Sequence, residues 1–491
     1  MAARRPAATL GGMRLRTVLA RLAVALLILA VPAVGAAIAA PATFAAIYAP
    51  GPPRAVPPPA PLPHDPTRPT AVVVLGLEGT EVSDVLAPYE VLAATGRLNV
   101  YTVAAERRPV TLTGGLDLVP DLSFDALAAL VGVPDLVVVP AMADVGEPTD
   151  APVAAWLRAQ RGAQYLAICN GSGVLAASGV LDGRTATAHR LGLAGFEAQY
   201  PAVRWVRGER VVDGGDVVST AGVLSGIAGT LRLVEHRFGP EVAAGAAAAI
   251  GWDPARGDLP LASGPAVPGP AAVVNAGFRW RPASLGVLLT DGVGEVELAS
   301  VFDVHGGQSL AARTTALSPD GGPVRSRHGL VFLPRGDVGA AAGLDRLLVS
   351  GHGPAVAVPG GVTPVAVHAG SGFAYDQTIT DLARTTDVAT ARWTATTLEL
   401  PLQGSALEGP AWPWAPTAVP VVLIAAGGLL WALVARHRAR GRTGATNAAE
   451  RSAGTLRPQS SITDRCGRGR RRRLAALREG PEQGNRVAPG P

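Results

Sequence analysis

Two long apolar runs, at 22–49 and 415–435, most constrain how this 491-residue chain can fold, because so much continuous hydrocarbon must be kept from water. The first, LAVALLILAVPAVGAAIAAPATFAAIYA, exceeds the roughly 20 residues that cross a bilayer. Its basic flank of Arg14, Arg16 and Arg21 and its small residues at 36–40 equally suit a cleaved signal peptide, and Pro32 and Pro41 leave both readings open. The second, APTAVPVVLIAAGGLLWALVA, follows Trp412 and Trp414 and ends at RHRARGR. Tryptophan on one side and arginine on the other predict a transmembrane helix with its C-terminus in the cytoplasm, a buried soluble helix being the alternative.

Charge follows the same division. Residues 1–21 carry five arginines and no acid, residues 436–491 carry fourteen arginines against four acids, and the middle of the chain is acidic overall. The net +5 therefore describes the ends and does not point to nucleic acid as a partner. The expected location is the cell membrane, with 1–21 and the tail cytoplasmic and the globular region outside. Lipid is the expected contact of the arginine run at 470–473.

Between the two runs, composition marks two breaks. Residues 50–69 hold ten prolines and predict a stiff extended spacer. Residues 253–283 read as a second, Pro/Gly-rich linker. Residues 70–252 alternate short β-branched runs, AVVVL (71–75), LNVYTV (98–103), DLVVVP (135–140) and YLAIC (165–169), with helical patterns near 84–95, 123–130, 150–160 and 171–178. That alternation predicts an α/β fold with a parallel sheet buried on both faces. RVVDGGDVVST (210–220) predicts a hairpin turned at Gly214 and Gly215, with helices after Ser219 and Pro240.

A degenerate repeat is expected at 284–400. LTDGVGEVELASVFDVHG meets LGLEGTEVSDVLAPYEVL at a constant offset that sets Glu297 opposite Asp84, but no cysteine follows in the second copy. Glu297 then reads as a helix-start acid. The tail 436–491 is expected to be disordered.

One of only two cysteines, Cys169, stands between the strand YLAIC and a helix opened by Gly171. Strand, cysteine, helix is the geometry of a nucleophile elbow, which presents a side chain at the C-terminal edge of the sheet. The helix N-terminus there is expected to lower the thiol pKa, and the N–H of Asn170 to face a developing oxyanion. A small buried cysteine is the bland alternative. The other thiol, Cys466, falls in the expected cytoplasmic tail, so the two cannot pair. No metal cluster, phosphate loop or Ser/His/Asp pattern is found, and no cofactor is expected.

The segment AICNGSGVLAASGVLDGRTATAH resembles the signature of the DJ-one/PfpI superfamily, a class I glutamine-amidotransferase-like group. EVSDVLAPYEVL is similar to that family's first strand-to-helix turn, and VVSTAGVLSGIAGTLRLVEHRFG to the branch found in AraC-type regulators. The resemblance implies a flavodoxin-like sandwich with Cys169 as nucleophile, Asp84 as the carboxylate near the thiol, and His189 at the pocket edge. Asp84 also suits a helix cap, and His189 a merely exposed turn. The family commonly has Pro-Gly-Gly after its third strand, where this chain has Pro140, Ala141 and Met142, so side chains crowd the backbone of Ala141 on the second oxyanion side. Asn170 replaces a His, Thr or Ser, and no DNA-binding domain follows.

These residues imply a membrane-anchored protein whose Cys169 attacks a small electrophilic, carbonyl-type molecule, as a hydrolase or hydratase. Asp84 would move the proton and Asn170 would steady the oxyanion. The alternative is a ligand-binding or sensor module without turnover. The second copy is expected to dock on the first as an internal pseudo-dimer partner.

Overall fold

The computed structural model describes residues 9–58, 63–264, 266–351, 358, 362–402 and 406–453. Helix α1 spans Thr9–Ala45 and runs unbroken through Pro32 and Pro41. The strands that follow are β1 (Thr70–Val74), β2 (Asn99–Ala104), β3 (Val110–Leu112), β4 (Leu116–Val119), β5 (Leu122–Ser123), β6 (Leu136–Val139) and β7 (Gln164–Ile168). Next come β8 (Thr185–Ala186), β9 (Arg204–Trp205), β10 (Val211–Asp213) and β11 (Val217–Thr220). Interleaved are helices α2 (Val82–Ala94), α3 (Phe124–Val131), α4 (Ala151–Ala159), α5 (Gly171–Ala177), α6 (Leu193–Gln199), α7 (Ser225–Phe238) and α8 (Pro240–Ala249).

Seven of these strands form one sheet, in the order β10-β11-β7-β6-β1-β2-β5. Every pairing is parallel except that of β10 with β11. Every residue of β1 and β6 is buried, as β-branched strands covered on both faces require. The chain has an α/β fold with a largely parallel sheet, of the flavodoxin-like kind expected. The β10–β11 turn falls at Gly214 and Gly215, as expected.

The region expected to be a linker, 253–283, instead carries a helix, α9 (Pro270–Phe278). Proline at its first turn is compatible with a helix, and its alanines and Phe278 supply a buried face. Asn275 anchors it by donating to Ser309 O at 3.1 Å and to Thr390 Oγ1 at 3.0 Å. Beyond it lie β12 (Ala283–Leu288), α10 (Glu295–Val301), a π-helical turn at Phe302–Gln308, β13 (Ala312–Ser318), β14 (Val324–Arg325) and β15 (Val331–Leu333). After these come β16 (Gly336–Asp337), β17 (Arg346–Val349), β18 (Pro364–Ala366), α11 (Ala374–Thr385) and α12 (Val388–Leu398). A second sheet has the order β16-β13-β12-β17-β18.

A four-stranded ribbon, β14-β15-β4-β3, joins the two regions through the antiparallel pair β4–β15, where Leu118 faces Phe332. One continuous core includes Leu86 and Val91 of α2, Leu298 of α10, Phe302 and Tyr375, all essentially inaccessible. Burying that much hydrocarbon between the two sheets is what holds the halves together.

The proline-rich stretch 50–69 has no helix or strand among its described residues, as its composition dictates, but it is no free spacer. Tyr101 donates to Pro63 O at 2.7 Å, Arg107 to Pro57 O at 3.0 Å, and the Asp65 N–H to Asn99 Oδ1 at 3.0 Å. Arg54 pairs with Asp117 and reaches the carbonyls of Leu333 and Pro334. Proline removes donors but leaves carbonyl acceptors, which Tyr101 and Arg107 of the body use, while Asp65 and Arg54 donate from the stretch itself.

The segments Val18–Tyr48 and Trp414–Arg440, with mean hydropathies of 2.6 and 2.3, are long and apolar enough to cross a membrane. Leu429 onward forms a unit of its own, helical to Ala453 as the end of helix α13 (Trp414–Ala453). The helix thus runs past 435, where a disordered tail was expected to begin, since arginine and alanine both favour helix. Residues 454–491, with Cys466 and the arginine run, lie outside the described residues.

Candidate active site

Strand β7 ends at Ile168, and Cys169 then adopts φ +56°, a left-handed conformation that costs a non-glycine residue about 1–3 kcal/mol. Helix α5 begins two residues later. A Cβ on Gly171 would lie 2.0 Å from the Val139 carbonyl oxygen, so only glycine lets this helix approach the end of β6. The sequence expectation of an elbow therefore holds in the backbone.

The expected electrostatics do not. Cys169 is buried, and its thiol pKa is pushed well above the ordinary value, first by burial and then by Asp84 and Glu81; the Asn170 N–H opposes this. Helix α5 has only seven residues, and its dipole does not offset desolvation plus two acids. The resting group is a thiol, not a thiolate.

Asp84 lies in the first turn of α2 and is wholly buried. It does not cap its own helix. Its Oδ2 accepts the Ala141 N–H at 3.0 Å, and its Oδ1 has no partner among the described residues. The Ala141 N–H, on the second oxyanion side, is thus engaged by Asp84. Burial raises the Asp84 pKa well above the carboxylate range.

Glu81, three residues earlier and in extended conformation just before α2, is the acid that faces the cavity; the sequence reading did not single it out. Its Oε2 accepts from Thr113 Oγ1 at 2.8 Å. Asp303, in the π-helical turn, joins the group from far along the chain: Ser83 donates to its Oδ2, and burial pushes its pKa up to about 6. Burial also raises Glu81, with Asp303 and Asp84 adding to the effect. Three carboxyls crowded out of water hold protons into a range where free carboxylates have lost them.

Cys169, Asn170, Ala141 and His189 line one cavity of about 540 Å³, while Asp84 sits behind its wall. His189 is buried, its Nε2 3.1 Å from Thr397 O, and desolvation pulls its pKa down to about 4, so the ring is neutral. Glu297 behaves as the helix-start acid expected, its Oε2 accepting the Gly294 N–H at 3.0 Å.

Glu90, Glu295 and His328 bring three possible metal ligands within 4.8 Å of one another. Their atoms are already engaged: Glu90 takes the Val296 N–H at 2.6 Å and Arg327 at 2.7 Å, and Glu295 takes His328 Nδ1 at 2.9 Å. An arginine inside the group makes it an ion-pair network.

Residues 70–236 match the model of the DJ-1/PfpI family. Over 206 residues the chain is 31% identical to the isonitrile hydratase of Pseudomonas putida, covering 41% of this chain and 86% of that protein. The chain belongs to the DJ-1/PfpI family. Among solved structures it is similar to Drosophila melanogaster DJ-1beta (22% identity, TM-score 0.33, 38% of this chain and 100% of that one). It is likewise similar to an AraC family transcriptional regulator from Pseudomonas putida (21%, 0.32, 37% and 98%). The DJ-1/PfpI match begins at β1 and ends within α7, so it contains the elbow, Glu81, Asp84 and His189. The cavity walls formed by α1, α9, the π-helical turn and α12 lie outside it.

Proposed function

We propose that this DJ-1/PfpI family member is a cysteine-dependent hydratase of a small neutral electrophile of the isonitrile type. The observation that carries the reading is the strained elbow at Cys169, opening into a cavity lined by Glu81 with Asp84 behind its wall, two carboxyls whose burial favours the protonated form. A neutral thiol next to a protonated acid suits addition of S–H across an uncharged carbon. The sulfur lone pair forms the S–C bond, an acid proton goes to the same carbon, and the thiol proton returns to the carboxylate, giving a thioimidate. Water then adds across the C=N bond, its oxygen to that carbon and a proton to the nitrogen; the C–S bond breaks as the hydroxyl proton passes to the sulfur, and an N-substituted formamide leaves. Asp84 and Glu81 are the proton carriers in this scheme, and the Asn170 N–H faces the sulfur side.

The experiment is to incubate the full chain in detergent with cyclohexyl isocyanide and measure the formamide. Product from the native chain but none from Cys169→Ser supports the reading. Equal product from both, or none from either, rejects it.

A ligand sensor without turnover is the second reading, favoured by the occupied Ala141 N–H, which leaves the site short of one oxyanion donor. Binding of the isocyanide to both native and Cys169→Ser chains, with no formamide from either, would select it.

We further propose that residues 284–400 are a degenerate second copy acting as an internal partner. In support, the order β16-β13-β12-β17-β18 repeats that of β5-β2-β1-β6-β7, and His368 follows β18 where Cys169 follows β7. We place the two apolar helices in a membrane, with the α/β body on the extracytoplasmic side.

A further inference from the structure

We infer that the cavity holding Cys169 takes its ligand, a neutral apolar molecule, from the adjoining bilayer and not from water. The inference rests on the reading of α1 as a membrane span and of Cys169 as the reactive group.

The wall on one side is the apolar helix itself. Ala36, Ala40 and Phe44, spaced to share one face of α1, line the cavity, followed by Ile47 and Tyr48. Opposite stand Ala272, Val273 and Ala276 of α9, and a Cβ on Gly277 would lie 2.7 Å from the Ala36 Cβ, so the two helices pack closely. The span that begins at Val18 has 31 residues, against roughly 20 needed for the hydrocarbon core. Counted from Leu22, the first residue after the basic flank that ends at Arg21, the core is crossed by about residue 41, which puts Phe44 to Tyr48, and the mouth of the cavity they line, at the membrane interface. Because the proline-rich stretch is tied to the body, it does not hold the cavity away from that surface.

The rim is apolar as well as the wall. Phe44, Val273 and Leu191 line the cavity yet remain 52%, 49% and 37% exposed, and Val267, beside the lining Pro268, is 74% exposed. A collar of this kind around an opening marks a contact with an apolar phase. Among the described residues no arginine lines the cavity, and Glu81, His189 and Cys169, which do line it, favour their neutral forms. A charged ligand would lose its hydration there and find no counter-charge.

The test uses the full chain carrying Cys466→Ser in phosphatidylcholine vesicles, with the alkylation rate of Cys169 read by mass spectrometry. The probes are a neutral N-dodecyl maleimide and a sulfonated maleimide of matched reactivity. The expected result is at least about tenfold faster labelling by the neutral probe, lost when Ala276→Trp fills the wall. Phe44→Arg, at an exposed rim position, provides a second variant whose folding does not depend on the packed wall, and it should also slow the neutral probe. Equal rates for the two probes, or neutral labelling unchanged in both variants, would overturn the inference. Labelling as expected without formamide formation would sink the hydratase reading alone. Turnover of a charged isocyanide as efficiently as cyclohexyl isocyanide would sink this inference and leave the hydratase reading standing.

Discussion

The Oδ2 of Asp84 accepts the backbone N–H of Ala141 at 3.0 Å, tying the first turn of α2 to the residue that follows Pro140 at the end of β6. Under the proposed mechanism Asp84 has two separable roles, as the acceptor that holds this backbone N–H and as a carrier of an ionisable proton. Asp84→Asn keeps an acceptor and removes the proton. It should change stability by less than about 1 kcal/mol in denaturant unfolding. It should also lower turnover by about 10²-fold or more. Asp84→Ala leaves a buried N–H unpaired and should cost about 1–3 kcal/mol. Activity retained in Asp84→Asn would remove the carboxyl from the mechanism.

The thiol makes a second expectation. A free cysteine titrates near about 8.5, and burial with two neighbouring acids pushes Cys169 above that. Alkylation by iodoacetamide should keep accelerating with pH beyond the range where an ordinary thiol levels off. The double variant Glu81→Gln, Asp84→Asn should bring the midpoint down. A midpoint at or below the ordinary value in the native chain would contradict the geometry.

Asp303 links the same group to stability. Its folded pKa of about 6 exceeds the value near 3.9 of an unfolded aspartate, so between those values the folded state holds a proton that the unfolded state has lost. The stabilisation is complete below the unfolded value and disappears as the pH rises through 6, by up to ~3 kcal/mol. Thermal unfolding should therefore occur at a higher temperature at pH 5 than at pH 7.5, and Asp303→Asn should reduce the difference. An unchanged difference would mean that Asp303 ionises freely in the folded chain.

The strands, the elbow and the hairpin were legible because each is encoded within a few residues: AVVV in β1, Cys169 before Gly171, Gly214–Gly215 between β10 and β11. What escaped the sequence depends on contacts across hundreds of residues. Asp303 meets Ser83 and Glu81 because α10 packs on α2, and α9 forms where its buried apolar face meets α1 and α12 and Asn275 finds Ser309 and Thr390. The thiol pKa was misjudged for a related reason: a helix N-terminus is visible locally, whereas the burial that outweighs it is a property of the assembled core.

Gly171 should tolerate no side chain. Its missing Cβ leaves room for the Val139 carbonyl, 2.0 Å from where that carbon would stand. Gly171→Ala should lower stability by ~3 kcal/mol or more and abolish turnover together, because α5 and the Cys169 elbow must move. Gly183→Ala provides the contrast: no atom lies near its would-be Cβ, so only its φ of +74° opposes the change, at about 1–2 kcal/mol.

The pairing of β4 with β15 decides whether the first region can stand alone. Phe332 is fully buried against Leu118 in the shared ribbon, so Phe332→Ala in the full chain should cost about 3–5 kcal/mol. A fragment of residues 70–255 loses β15 altogether, exposing the edge of β4 and the apolar face of α2 that packs on α10. An unpaired edge beside exposed hydrocarbon is a template for association, so the fragment should elute as a dimer or larger species at micromolar concentration. A stable monomer would show that the first region does not need the second as its partner, and would separate the fold of the elbow from the reading of 284–400 as an internal copy.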